Sequence, residues 1–326
     1  MLSRCRLIAV VWVSTWLILG TPTLRSEDQP PSGGAPPEKH KLAFKFRPNQ
    51  VLRYEVVNEQ EITTTARGDT EIQKNTTKTK RHHRVAGVDE KGVADLELSI
   101  DWVYMRAIWD KRDGTIPTPI EFQSDDPEKQ PAKFQKILET VGKPWATIRF
   151  NSIGTPLKVI SIAGQAGDGK GVTTQTGADG ALEAYLIVLP TQPVAVGETW
   201  DEKFEVIALD ENRNRSVIKI QRVYKLTELK AGRATIDLKT MILSPITNPA
   251  ISSQLLLREV AGKIVFDVDR GLILSKDWAV QNTVVNPIPG VNSLMKGSGR
   301  YTEKLVAEDQ APERTVKAGT ETTTKK

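Results

Sequence analysis

The stretch from Gly164 to Gly171 comes nearest in this sequence to a recognised chemical motif, because GQAGDGKG matches the phosphate-binding loop G-x-x-x-x-G-K at seven positions. The next position of that motif must carry a hydroxyl group that ligates magnesium, and Gly171 has none. The residues that follow, 172–177, favour strand or coil over the helix whose amides would bind phosphate. We therefore interpret the stretch as a flexible linker.

The histidines and carboxylates also fail to form a recognisable catalytic set. His82 and His83 are adjacent, and neighbours on a strand point to opposite faces, so they cannot readily share one metal ion. No ordered Ser/His/Asp or Cys/His arrangement is evident. The acidic pairs fall in predicted turns or just before helices: Asp125–Asp126, Asp210–Glu211, and Asp267 with Asp269. The sequence predicts a non-catalytic protein without cofactor or metal, and an exported hydrolase is the weakest alternative.

A basic face follows one predicted strand and could bind an anion. A hairpin at residues 66–69 would place Thr65 opposite Thr70 and would pair Glu61 with Lys74 and Glu55 with Lys80. The hairpin therefore favours a solvated face of cross-strand ion pairs, on which lie Lys74, Lys78, Lys80, His82 and Arg84. Its threonine-rich tip is expected to project past the core, where an exposed edge could pair with a partner.

The N-terminus has the pattern of a secretory signal peptide. Arg4 and Arg6 precede an apolar run of fourteen residues, 7–20, and small residues follow it. A membrane span needs about twenty apolar residues, so we favour a leader over residues 1–26, with an uncleaved anchor as the alternative. We expect an exported protein, periplasmic or extracellular, with no stable membrane span after cleavage.

The composition of the chain limits the classes of partner that the protein is expected to bind. Of the 45 basic residues three lie in the leader, which leaves 42 against 40 acidic residues. A nearly balanced charge, together with export, argues against nucleic acid as the partner. The only cysteine, Cys5, lies before the apolar run, so the mature protein has no disulfide.

Alternation of apolar and polar residues dominates the rest of the chain and predicts a mainly β fold. From Ala94 to Tyr104 every second residue is apolar, as in a half-buried antiparallel strand. Many predicted strands exceed the usual five or six residues, which favours a large curled antiparallel sheet or a half-open barrel. The further strands are expected at 42–47, 51–64, 71–88, 145–150, 157–162, 200–209, 216–229, 234–242, 259–267, 272–285 and 300–306.

Two short amphipathic helices are predicted, at about 132–141 and 180–189, each with one apolar stripe that would lie on the concave face of the sheet. The predicted organisation is a signal peptide (1–26), a disordered Pro/Gly linker (27–41), a β-rich domain (42–306) and a disordered tail (307–326). Similar hairpin sequences indicate a two-fold pseudo-repeat, with halves 42–163 and 180–306 joined by the glycine-rich linker 164–179.

Three stretches carry a resemblance to a known family: FQSDDP at 122–127, LPTQPVAVGETW at 189–200 and FDVDRG at 266–271. Their order resembles that of an uncharacterised family of exported bacterial β-rich proteins, classed as a domain of unknown function. The family has no established catalytic residues to transfer.

The outline of long antiparallel strands with two helices is also similar to the lipoprotein-carrier superfold, in which helices close a half-open barrel over an apolar cavity. This similarity implies a cell-envelope protein that binds a lipid or acyl chain. Its cavity would be lined by Trp102, Tyr104, Tyr185, Leu186 and Trp278, for which ordinary core packing is the alternative. The alternative function is an envelope scaffold that binds another protein through strand edges.

Overall fold

The structure is a computed structural model that describes residues 37–162 and 185–310. The predicted signal peptide and the glycine-rich linker lie outside the described residues, as do most of the Pro/Gly linker and of the C-terminal tail. None of the described helices has the length and apolar character needed to cross a membrane.

The described chain forms one antiparallel sheet of twelve strands, which confirms the mainly β prediction. The sheet is open, with β6 and β7 at its edges, in the order β6-β5-β3-β2-β1-β12-β11-β10-β9-β8-β7, while β4 also pairs with β3. The strands are β1 Gln50–Ala66, β2 Asp69–Val88, β3 Ala94–Asp110, β4 Ile120–Gln123, β5 Pro144–Phe150, β6 Pro156–Ile162, β7 Thr199–Leu209, β8 Arg215–Lys230, β9 Arg233–Ile242, β10 Ala261–Asp267, β11 Leu272–Val285 and β12 Ser293–Gln310.

Two five-stranded meanders with the same order make up most of this sheet. One is β6-β5-β3-β2-β1, the other is β11-β10-β9-β8-β7, and β12 pairs with β1 on one side and β11 on the other. The topology therefore divides where the pseudo-halves are predicted, whereas duplication of the sequence itself stays a prediction. β12 extends to Gln310, four residues into the predicted tail.

The β1–β2 hairpin has the predicted register, with Thr65 opposite Thr70, Glu61 opposite Lys74 and Glu55 opposite Lys80. Arg67 and Gly68 form its two-residue turn with φ of 55° and 91°, the left-handed pair that matches strand twist. The prediction of a free strand edge at its tip is wrong, because β1 pairs with β12 and β2 pairs with β3 close to the turn. Outside the hairpin tip, β6 and β7 are the outermost strands of the sheet order, and β4 is paired on one side only.

A β-bulge in β3 interrupts the alternation predicted from Ala94 to Tyr104. Ile100 pairs with Arg81 and Trp102 pairs with the adjacent Lys80, so Asp101 is the extra residue. Even-numbered residues before the bulge therefore face one side of the sheet, whereas even-numbered residues after it face the other side. We call the side that carries Leu96 and Arg81 the inner face, and the other side the outer face.

The helices differ from the prediction. The first is a 3-10 turn, Ala132–Phe134, followed by one α turn, α1 Gln135–Leu138. Of the second predicted helix, residues 180–184 lie outside the described chain, and 185–189 form a turn and an irregular segment. An unpredicted helix, α2 Pro249–Gln254, begins after Asn248, whose side chain accepts the backbone N–H groups of its first turn.

The main hydrophobic core lies on the inner face and joins strands from both meanders, so the sheet curls around it. The strand expected at 42–47 is not paired in the sheet, and the segment 42–46 instead crosses the end of this core. Its backbone amides bond to two hairpin turns, Phe44 to the carbonyl of Ser152 and Lys45 to that of Gly271. The Phe44 ring packs 5.5 Å from that of Phe266 between centroids, in an edge-on contact.

Candidate functional site

A cavity of about 270 Å³ lies on the inner face between the second meander, β12 and β1. Cross-strand pairing builds its walls, since Tyr224 pairs with Leu238 and Trp278 pairs with Tyr301. Residues after α2 close one side, and Leu186 and Ile187 lie over it. Most of the lining is apolar or aromatic: Leu186, Ile187, Phe204, Ile220, Tyr224, Leu238, Leu257, Val260, Trp278, Val280 and Tyr301.

Two glycines of β12 make room for this cavity and its side wall. A Cβ atom on Gly299 would lie 3.2 Å from the Val280 side chain, and one on Gly297 would lie 2.7 Å from Cγ of Leu256. Both contacts are tighter than normal packing, so only glycine lets Val280 and Leu256 approach the strand this closely. A Gly-x-Gly pair inside a strand is the sequence signal for this site, and these glycines are not among the residues predicted to line a cavity.

The segment from Tyr185 to Leu189, which we call the roof, covers the cavity and is tied to both meanders. Lys276 Nζ donates to the Tyr185 carbonyl at 2.8 Å, and Trp200 Nε1 donates to the Val188 carbonyl at 2.8 Å. The Leu189 amide donates to the carbonyl of Ile153 at 2.8 Å. These bonds use backbone groups that a helix would need for itself, which explains why this part of the predicted helix is not helical.

A buried ionic cluster stands beside the roof. Arg81 and Lys276 both pair with Glu303, the lysine at 3.1 Å, and all three side chains are almost inaccessible to solvent. Burial lowers the pKa of Lys276 to about 8, although Glu303 opposes this shift. Burial by itself would raise the pKa of Glu303, but Arg81 and then Lys276 outweigh it and lower that pKa to about 2. The cluster holds two cations against one carboxylate.

His83 lies in the same cluster, 1% exposed, with its ring 5.1 Å from the ring of Tyr54 and 5.1 Å from that of Tyr185. Neither ring nitrogen has a hydrogen-bond partner within the described chain. Burial, followed by the charge of Arg81, holds the pKa of His83 well below its ordinary value. His82 is on the outer face and lies 2.7 Å from Asp101, so the two histidines point apart as predicted.

Of the five residues predicted to line a cavity, two lie in the wall of this one, and a third is next to it in the roof. Trp278 and Leu186 line it, and Tyr185 connects the roof to the ionic cluster. Trp102 and Tyr104 follow the bulge and lie on the outer face, where Trp102 Nε1 donates to Asp125 at 2.8 Å. They therefore lie on the opposite face from Trp278, because one extra residue reverses the face of every later side chain.

The sequence matches no family model and no curated protein. Membership of the exported β-rich family therefore stays a prediction. Among solved structures, the chain is similar to one described as "Lipid-protein interactions in lipovitellin", with a TM-score of 0.45 and 13% identity. The similarity covers 83% of this chain and 26% of that one, so this chain spans about a quarter of its length. A similarity of this strength assigns no function.

Proposed function

We propose that the protein is an exported, non-catalytic protein of the bacterial cell envelope that binds an apolar ligand, a lipid or acyl chain, in the inner-face cavity. The observation that carries this proposal is a cavity with apolar walls from several strands and a roof that hydrogen bonds fix over it. Export is proposed from the leader sequence, on the pattern of residues 1–26.

The size of the cavity indicates the size of the ligand. Its volume is about 270 Å³. This is close to the lower end of small-molecule sites, which begin at about 300 Å³. A single medium-length acyl chain fits these dimensions better than a two-chain lipid buried entirely.

An apolar ligand would also stabilise the fold. The apolar walls of the unfilled cavity lack packing contacts with one another. A chain that occupies the cavity restores those contacts, and binding to the folded state alone raises the free energy of unfolding. Ligand binding should therefore be detectable both as affinity and as a higher melting temperature.

The test is a matched pair of substitutions in β11. Val280 lines the cavity, whereas Val285 is 63% exposed and an odd number of residues away, on the other face. Val280→Phe should fill part of the cavity and reduce binding of the apolar probe N-phenyl-1-naphthylamine, followed by its fluorescence, at least tenfold. Val285→Phe should leave binding unchanged.

Thermal unfolding of both variants shows whether they remain folded, and mass spectrometry of organic extracts of the purified wild-type protein reports co-purified acyl compounds. The proposal fails if the folded wild-type protein binds neither the probe nor decanoate, or if Val280→Phe binds the probe as well as Val285→Phe does.

A further inference from the structure

We infer that the ligand of the cavity carries a carboxylate headgroup, which binds at a polar layer formed by Arg222, Thr240 and Arg258. This inference rests on the proposed function and adds to it the chemical class of the ligand, a fatty-acid-like anion. It follows from three observations: the position of the layer, an unsatisfied buried hydroxyl group and the charge of the lining.

The polar layer is a single rung of the sheet. Arg222 of β8 and Thr240 of β9 are cross-strand partners, and both line the cavity. The Thr240 amide donates to the Val260 carbonyl at 2.8 Å, which brings the segment with Arg258 alongside. The neighbouring rungs are apolar on both sides, Ile220 with Ile242 and Tyr224 with Leu238.

Thr240 has a hydroxyl group that the protein does not satisfy. The residue is 4% exposed, and its Oγ1 has no hydrogen-bond partner among the described residues. A buried hydroxyl group without a partner destabilises the fold, so such groups are normally paired. The hydroxyl oxygen itself is enclosed, but Thr240 lines the cavity, so rotation of its side chain about χ1 would present this hydroxyl group to the oxygen of a bound ligand.

The lining is basic. It contains no aspartate or glutamate of the described chain, but it includes three arginines. Arg300 adds no positive charge to the cavity, because its guanidinium pairs with Asp277 at 2.8 Å on the outer face. Arg222 pairs with Glu202 at 3.2 Å and is balanced. The Arg258 side chain is exposed at the cavity and has no ion-pair partner within the described residues, so it can bind an anion.

These positions also orient the ligand. The headgroup would lie at the solvent-accessible side, between Arg258 and Thr240, and the chain would run towards Leu186 and Trp278 beneath the roof. Arg222 donates from the wall of the same rung while it keeps its contact with the Phe204 ring, 4.9 Å away. A cationic headgroup would be repelled by the Arg258 guanidinium, whereas the charge of Arg222 is already balanced by Glu202.

The experiment compares three ligands with the same chain: decanoate, 1-decanol and decyltrimethylammonium. Each displaces N-phenyl-1-naphthylamine from the purified protein at pH 8 and 50 mM salt, below its micellar concentration. We expect decanoate to bind at least fivefold more tightly than 1-decanol, and decyltrimethylammonium to bind most weakly. Equal binding of decanoate and decanol, or tighter binding of the cation, overturns the inference but leaves the proposed function standing. Absence of binding by all three and by the probe overturns both.

Two variants localise the headgroup. Thr240→Val keeps the shape and removes the hydroxyl, and Arg258→Gln removes an exposed charge, so neither is expected to prevent folding. Each should weaken decanoate binding five- to tenfold and change decanol binding less than twofold. Arg215→Gln, which removes an exposed arginine elsewhere on β8, should change neither affinity. If Arg215→Gln weakens decanoate as much as Arg258→Gln does, the effect is only one of net charge and the assigned site is wrong.

Discussion

His83 is a neutral side chain among buried charges, and its surroundings make it sensitive to acid. Arg81, Lys276 and Glu303 act on it electrostatically, and the rings of Tyr54 and Tyr185 lie against it. None of these neighbours could be read from the sequence, because Arg81, Lys276 and Glu303 each look like an ordinary polar residue of an alternating strand. Only the pairing of β12 with both β1 and β11 brings them together.

The stability of the protein should fall as the pH drops below about 6.5. The unfolded chain then binds a proton at His83 that the folded protein does not, because its folded pKa is depressed. The free energy of unfolding should therefore decrease between pH 8 and pH 5, with His83 as the main contributor over this range. The contribution of Glu303, whose folded pKa is about 2, is lost only below about pH 4.5. Urea unfolding at each pH measures the effect.

His83→Phe should remove most of this loss between pH 8 and pH 5, because the replacement ring keeps the aromatic contacts and cannot be protonated. His82→Gln, on the outer face, should retain the loss. If His83→Phe loses as much stability as the wild type over this range, another group is responsible for the acid sensitivity.

At the scale of elements, the sequence predicts strands well where alternation is strict and fails where tertiary contacts decide. β11 was predicted at its observed bounds, Leu272–Val285. The bulge at Asp101 could not be recognised in the sequence, because the extra residue is of a type that also occurs in a regular alternating strand. The roof was predicted as a helix from its apolar spacing, but its backbone groups bond to other elements. Local pattern could not reveal partners so distant in the chain.

Trp200→Phe tests whether hydrogen bonds hold the roof in place. The variant keeps a ring next to Tyr224 but loses the indole N–H that donates to the Val188 carbonyl. Such a bond contributes about 1 kcal/mol, and the carbonyl then lacks this partner. We expect hydrogen exchange at the Leu189 amide to accelerate about fivefold, by local opening of the roof, with little change in the exchange of β9.

Trp109→Phe is the matched control, because Trp109 is 41% exposed and far along β3 from the roof. It should leave exchange at Leu189 unchanged. Equal exchange rates at Leu189 in Trp200→Phe and in the wild type would show that packing, and not this hydrogen bond, fixes the roof.

For the whole molecule, the mainly β class and most strands followed from the sequence, but the pairing that joins the two meanders did not. The C-terminal strand β12 lies in the middle of the sheet between β1 and β11, a pairing across almost the whole chain that no local pattern specifies. The cavity depends on the position of β12 between the meanders, because this strand contributes Gly299 and Tyr301 to the cavity wall. The segment 42–46 is a second connection between the meanders, because its backbone bonds to a hairpin turn of each.

Phe44→Ala should therefore destabilise the molecule as a whole. Phe44 is 5% exposed, stacks on Phe46 at 5.4 Å and meets Phe266 of the other meander. Loss of a buried phenyl ring typically costs 3–5 kcal/mol, and we expect about that decrease in the free energy of unfolding, measured with urea. Lys45→Ala, at an adjacent and more exposed position, should cost less than about 0.5 kcal/mol because its backbone amide still bonds to Gly271. One cooperative transition is expected in both variants, since β12 joins the meanders into one sheet. A loss below about 1 kcal/mol in Phe44→Ala would mean that the sheet holds the two meanders together without this segment.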